Sequence, residues 1–290
     1  QSGLGIKLPA TLLFDYPNLD AISSYLMAQL SFPDDANLRD DTSLSKAAQT
    51  IRQDGAARLI ESLQQLEYRN EPIAIIGLDC RFPGGASPQE FWQLLIDGRD
   101  AIADVPPSRW DIDYYYDPSG DSKGKIVTRQ AGFVQEADYF DAQFFGISNR
   151  EALNIDPQQR ILLEVAWTAL EDAQQPVDQL DGSNTGVFVG LCGSEYITPR
   201  LDLCDDDFNP FMATGAVLSS TNGRISYTFG LRGPSMAIDT ACSSALVAVH
   251  QACESLRRGE CDMALAGGVN LMFSHRPNIV FSQAKMLSPE

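Results

Sequence analysis

Apolar residues recur at helical spacing in the first part of the chain. In "YPNLDAISSYLMAQL", Ile22, Leu26 and Leu30 share one face with Tyr25, behind Pro17 and the N-cap candidate Asn18. One short amphipathic helix cannot bury itself, so residues 1–30 read as the end of a small helical unit. Residues 31–45, "SFPDDANLRDDTSLS", are polar, acidic and proline-containing and read as a linker. Residues 46–69 predict a second helix. Ala56, Leu59, Leu63 and Leu66 alternate steps of three and four, as a coiled-coil seam does, but two heptads suit a surface helix packed on a neighbouring domain equally well.

At Pro72 the pattern changes. "PIAIIGLDCRFPGG" is a short β-branched run closed by glycine and proline, and it predicts a buried strand opening a new domain. Helix-like and strand-like segments then alternate. "SPQEFWQLLIDG" runs from a cap to a glycine. "DPQQRILLEVAWTALEDA" predicts a longer helix with apolar residues at 161, 162, 165, 166 and 169. "NTGVFVGLC" reads as a strand, "SSALVAVHQACESLRRG" as a helix and "CDMALAGGVNLMF" as a strand. The alternation predicts an α/β domain over residues 71–290 with a sheet covered by helices.

Composition narrows the function classes. A net charge of −18 argues against a nucleic-acid binder, which needs clustered Lys and Arg. No apolar run approaches the roughly 18 residues of a membrane helix, and there is no signal-peptide pattern. The six cysteines, at 80, 192, 204, 242, 253 and 261, form no C-x-x-C pair, and no N-x-[ST] sequon occurs. A reduced, cytoplasmic setting is the simplest reading. A chain that opens on Gln1 and closes on "MLSPE" reads as a piece of something longer.

Several motifs fail on inspection. "GDSKGK" (120–125) is one residue short of a phosphate-binding loop, and Ile126 stands where that loop needs Ser or Thr. "GLCGS" is not a G-x-S-x-G elbow. His250 and His275 with scattered cysteines give no zinc spacing, and no metal is expected. The acidic run 202–208 lacks the glycine and closing glutamate of a calcium loop and reads as a solvated loop.

Cys242 stands out by position. "PSMAIDTA" is extended and mostly apolar, and the segment after Cys242 is helical to Gly259. The thiol therefore falls at a strand-to-helix turn. A helix N-terminus offers free N–H groups and about half a positive charge, which favour a thiolate and could hold an oxyanion. Ser243, Ser244 and Ala245 are small enough to let a substrate approach. Free cysteines are also among the most buried residues, so an inert core thiol fits the same position. The residues alone leave both readings open.

A family resemblance bears on that choice. "GPSMAIDTACSSALVAVHQACESLRRGECDMALAGGVN" closely resembles the active-site segment of β-ketoacyl synthase (ketosynthase) domains of modular polyketide synthases. "EPIAIIGLDCRFPGGASPQEFWQLL", "VPPSRWDIDYYYDP", "FFGISNREALNIDPQQRILLEVAWTALEDA", "TGVFVG" and "FSQAKMLSPE" resemble further blocks of that family in the same order. The opening "GIKLPATLLFDYPNLDAISSYL" resembles the last part of an acyl carrier protein. The resemblance implies three parts: the carrier end at 1–30, an inter-domain linker with a helix at 31–70, and the N-terminal part of a thiolase-like ketosynthase fold at 71–290.

The resemblance implies that Cys242 accepts an acyl chain from a carrier's phosphopantetheine thiol. A malonyl-type extender then decarboxylates and attacks the acyl thioester in a Claisen condensation. It implies acyl carrier domains and acyl and malonyl-type thioesters as partners, and a homodimer in the parent protein. The serine that bears phosphopantetheine and the two family histidines have no match in residues 1–290, so the chain alone is expected not to condense. His250 lies eight residues along the helix from Cys242, roughly 12 Å by axial rise, and His275 matches no family catalytic position; both read as structural or exposed. A cysteine at 242 favours an elongating domain, since decarboxylating loading variants carry glutamine there. A fatty-acid synthase ketosynthase, a docking segment of a megasynthase and a free-standing thiolase-like or chalcone-synthase-like enzyme are the alternatives, and the carrier-like opening argues against the last. The family fold places the Cys242 helix between the sheets of two similar halves. Residues 245–249 are apolar all round, so the face near Leu246 and Val249 is expected to lie bare without the second half.

Overall fold

The computed structural model describes residues 71–196 and 209–288. The expected carrier-like helix, linker, helix 46–69 and acidic run 202–208, with Cys204, lie outside the described residues.

Helix α1 (Pro88–Ile96) begins where its sequence places it. The Ser87 hydroxyl accepts the Glu90 amide at 3.3 Å, the Glu90 carboxylate accepts the Ala86 amide at 2.8 Å, and Pro88 fills the first position. A small satellite follows. Strands β1 (Ala103–Asp104) and β2 (Gln130–Ala131) pair antiparallel, and helix α2 (Ile112–Tyr115) lies between them in sequence. Val105, Trp110, Ile112, Ile126 and Phe133 form its core.

The main layer comes next. Helices α3 (Asn149–Ala152), α4 (Pro157–Asp172) and α5 (Val177–Leu180) lead to strand β3 (Thr185–Leu191). Helices α6 (Met212–Gly215) and α7 (Leu218–Phe229), strand β4 (Ser235–Ile238), helix α8 (Ser244–Arg257), strand β5 (Met263–Val269) and helix α9 (Arg276–Gln283) complete the order. The sheet runs β4-β3-β5, with both pairings parallel: Gly190 opposes Ile238 on one side and Gly268 on the other.

Every residue of β3 is buried, as a central parallel strand covered on both faces requires. Its side chains alternate. Val187, Val189 and Leu191 pack with Leu163, Ala166 and Leu170 of α4 and Ile225 and Phe229 of α7. Phe188 packs with Ala248 and Ala252 of α8 on the opposite face. Burying each large aliphatic chain here contributes roughly 1.5–3 kcal/mol. Leu163, fully buried, would cost about 2–5 kcal/mol as alanine.

The expected strand at "PIAIIGL" is not formed. Residues 71–81 carry no strand, and Ile75 is 85% exposed. The segment is held instead to α4: the Leu78 amide donates to Asp172 at 2.9 Å, and Gly77 sits so close that a Cβ would lie 2.4 Å from the Ala169 carbonyl oxygen. A cavity of about 950 Å³ lies between residues 71–83 and β5. A β-branched run encodes a preference for burial in a sheet, and a strand also needs a neighbouring edge within about 4.8 Å. Among the described residues the sheet ends at β5, and no residue of 71–81 pairs with it.

Candidate active site

In open parallel sheets, ligands gather outside the carboxyl ends of the strands. Here three chain segments leave that edge together: 192–196 after β3, 239–243 after β4, and 270–275 after β5. Cys242 is exposed in the second of them.

Side chains build its turn. The Asp239 carboxylate accepts the Ala241 amide at 3.0 Å. Ala241 then takes φ of +55°, a left-handed conformation that costs roughly 1–2 kcal/mol outside glycine. Ser244 splints the bend: its hydroxyl donates to the Ala241 carbonyl at 2.7 Å and accepts the Thr240 amide at 2.9 Å. The Ser243 hydroxyl donates to the Thr240 carbonyl at 2.9 Å. The turn lifts Cys242 to solvent one residue before Ser243, the N-cap of α8.

Two glycines seat that helix on the sheet. A Cβ on Gly190 would lie 2.4 Å from the Ser244 carbonyl carbon, and one on Gly268 would lie 2.7 Å from the Ala245 Cβ. The first turn of α8 therefore rests directly on β3 and β5. Its Ser244 amide donates to the Ala241 carbonyl at 3.1 Å and its Val247 amide to the Ser243 carbonyl at 3.0 Å, which leaves the Ala245 and Leu246 amides as the helix-start donors without intrahelical acceptors.

A buried polar network fixes the other two segments. Asp156, the N-cap of α4, accepts the Gln158 amide at 2.8 Å and the Ser194 hydroxyl. The Gln158 amide group donates to the Gly193 carbonyl at 3.3 Å and accepts the Leu271 amide at 3.1 Å. Glu195 accepts the amides of Phe273 and Ser274 at 2.9 and 2.6 Å. Burial still holds the Glu195 carboxyl above its ordinary range. One helix start thus ties the loops after β3 and β5 together. Sequence reasoning missed this role, because the burial of Asp156, Gln158, Gln159 and Arg160 ahead of the apolar run shows only in the structure.

Cys192 was not singled out by sequence either. It is exposed at the end of β3, and its thiol is raised by burial, then by the neighbouring Asp239 carboxylate, with Cys242 also within electrostatic reach. His250 is exposed on α8. His275 stacks on Tyr115, with ring centres 3.9 Å apart, and burial lowers its pKa. Among the described residues no three side chains are grouped to hold a metal ion. No helix among them is long and apolar enough to cross a membrane.

The arrangement of these helices and strands is shared with solved structures. The oxazolomycin ketosynthase domain of Streptomyces albus superposes with a TM-score of 0.68 at 36% identity, over 74% of this chain and 37% of that one. The ketosynthase from module 6 of the bacillaene synthase of Bacillus subtilis superposes at 0.67 and 38%, over 74% and 35%. The fold is therefore the N-terminal part of a thiolase-like ketosynthase.

Residues 70–290 match the family described as Beta-ketoacyl synthase, N-terminal domain, and the chain belongs to that family. Its relatives are polyketide synthases. A phenolphthiocerol/phthiocerol polyketide synthase of Mycobacterium bovis is 51% identical over 220 residues, covering 76% of this chain and 12% of that protein. Pikromycin polyketide synthase component PikAII of Streptomyces venezuelae is 42% identical over 292 residues, covering all of this chain and 7% of that protein. The chain thus spans about an eighth or less of the length of these relatives.

Proposed function

We propose that the parent protein elongates polyketide chains and that Cys242 is its acyl acceptor. The observation that carries this reading is the exposed thiol on a side-chain-built turn, next to the helix start whose Ala245 and Leu246 amides lack intrahelical acceptors, and at the carboxyl edge of the sheet. The Cys242 thiolate attacks the carbonyl of an acyl thioester. The carbonyl oxygen takes up the charge within reach of those amides, and the carrier thiol leaves as the new thioester forms on Cys242. A malonyl-type extender then loses carbon dioxide, and its carbanion attacks that thioester to give a β-ketoacyl product.

The phosphopantetheine arm that delivers the acyl group belongs to carrier domains. The small residues Ala241 and Ser243 on either side of Cys242 suit the approach of such a narrow arm. The similarity to PikAII over the whole chain supports the reading of residues 1–30 as a carrier end and 31–70 as a linker. A homodimer is supported by the outer edge of β4, which is unpaired among the described residues and carries the exposed Met236. The free cysteines support a cytoplasmic setting. The polyketide naming of the relatives favours this pathway over fatty-acid synthesis.

Incubating the full synthase with an acyl thioester should add the acyl mass to the peptide bearing Cys242. Changing Cys242→Ala should remove the adduct and all β-ketoacyl product; acylation that persists in this variant overturns the assignment. Residues 1–290 alone should acylate slowly without forming that product.

A further inference from the structure

We propose that Cys192 and Cys242 form a reversible disulfide pair, which makes the carboxyl edge of the sheet a site of oxidative modification. The strand pattern places both thiols there. Along β3, Phe188 packs on α8 and Gly190 abuts its first turn, so the period-2 alternation directs residue 192 toward that same side. The parallel register opposes Gly190 to Ile238 and, continued by two residues, sets Cys192 beside Thr240, two positions before Cys242. Adjacent strands are about 4.8 Å apart, so both cysteines leave neighbouring strand ends onto one side of the sheet.

Independent features agree. Both thiols are exposed, and both sit on backbone outside regular elements, which adjusts more readily to disulfide geometry than a strand or helix interior does. The Asp239 carboxylate lies against Cys192 while also fixing the Ala241 turn that bears Cys242. The other described cysteines are placed elsewhere: Cys261 is buried under α8, Cys253 lies three turns along that helix, and Cys80 lies in the segment beside the cavity.

The exchange balances with a small-molecule disulfide such as glutathione disulfide as oxidant. The Cys242 thiolate attacks one sulfur of the oxidant, its S–S bond breaks, and one glutathione thiolate leaves. Cys192 gives its proton to solvent and attacks the Cys242 sulfur of the mixed disulfide, which expels the second glutathione. Two protein thiols are oxidised and one disulfide is reduced to two thiols. Because Cys192 holds its proton more tightly than an ordinary thiol, ring closure should quicken as pH rises. The closed pair has no thiol at 242 to accept an acyl group. That consequence rests on the proposed role of Cys242, whereas the cross-link itself does not.

The test uses the full-length synthase equilibrated in glutathione disulfide buffers, quenched with N-ethylmaleimide, digested with trypsin and read by mass spectrometry. The expected product joins the peptide bearing Cys192 to the peptide 233–257, with fragment ions assigning the bond to Cys242 rather than Cys253. Dithiothreitol should release it and restore acyl loading. The Cys192→Ser variant should stop at the glutathione adduct on Cys242. A wild-type protein that also stops at that adduct across the pH range, or that bonds Cys253 instead, overturns the pair. A cross-link that leaves acyl loading intact upholds the pair and overturns Cys242 as acceptor.

Discussion

The seat of α8 on Gly190 makes a quantitative prediction. In Gly190→Ala, the new Cβ would lie 2.4 Å from the Ser244 carbonyl carbon, 2.5 Å from the Ala245 nitrogen and 2.6 Å from the Ser244 oxygen, where ordinary contact begins at 3.4 Å. All three are backbone atoms, so no rotamer change relieves the overlap. β3 is buried along its whole length, which leaves the helix as the element that yields. It must lift by about 1 Å. Overpacking of this kind costs roughly 1–3 kcal/mol. For a domain of this size that is roughly 2–12 °C in Tm. The lift also moves the turn two residues upstream that carries Cys242. A displacement of about 1 Å at a reacting group can cost 10²-fold in rate, so acyl loading should fall about 10²-fold, beyond what the loss of folded protein explains. Gly223→Ala is the control: nothing lies within 4 Å of its Cβ, and it sits inside α7, so it should be stabilising by about 0.5–1 kcal/mol. The measurements are thermal melts and single-turnover acylation of both variants in the full synthase. Unchanged Tm in Gly190→Ala refutes the packing argument. Lowered Tm with unchanged loading refutes the claim that this seat positions Cys242.

Further outcomes follow from the same geometry. Iodoacetamide should label Cys242 faster than Cys80, Cys192, Cys204, Cys253 and Cys261, since it is exposed at a helix start, whereas Cys261 is buried and the Cys80 and Cys192 thiols are raised by desolvation and by the neighbouring Asp79 and Asp239 carboxylates; peptide mapping that finds even labelling counts against it. Glu195 has a folded-state pKa raised above 4.5, so the folded state binds the extra proton, and its contribution to stability falls as pH rises from 4.5 through that raised value. Glu195→Gln should flatten this part of the stability–pH curve, and an unaltered slope removes the case for a strained carboxylate. Leu246 and Val249 are exposed on α8, so residues 71–290 alone should bind an apolar-surface dye and self-associate. A sharp monomer peak in size exclusion with no dye binding contradicts this.

Much of the fold was legible because one-dimensional signals decided it. Ser87 and Asp156 are caps, Pro88 and Pro157 are first-turn prolines, and Gly259 follows a helix end with φ of +67°. The period of apolar residues gave α4 and α8, a β-branched run gave β3, and a short apolar run between a cysteine and a polar loop gave β5. The turn at Cys242 needed only the switch from extended to helical pattern.

Helix α7 escaped because its buried stripe, Thr221, Asn222, Ile225 and Phe229, is half polar and therefore carries no apolar period. The run at 73–78 misled because apolarity states what wants burial and says nothing of whether an edge lies near. The network of Asp156, Gln158 and Glu195 was invisible because buried polar groups are satisfied by partners far along the chain: Gln158 meets Leu271 across 113 positions. Local sequence thus determined α1, α4, α8, β3 and β5 and the placing of Cys242 at a helix start. Only the packed structure decided what surrounds that thiol, because parallel pairing of β3 with β4 sets the end of β3 alongside the segment that leads to Cys242, and glycines on two strands let α8 approach the sheet closely enough to hold it there.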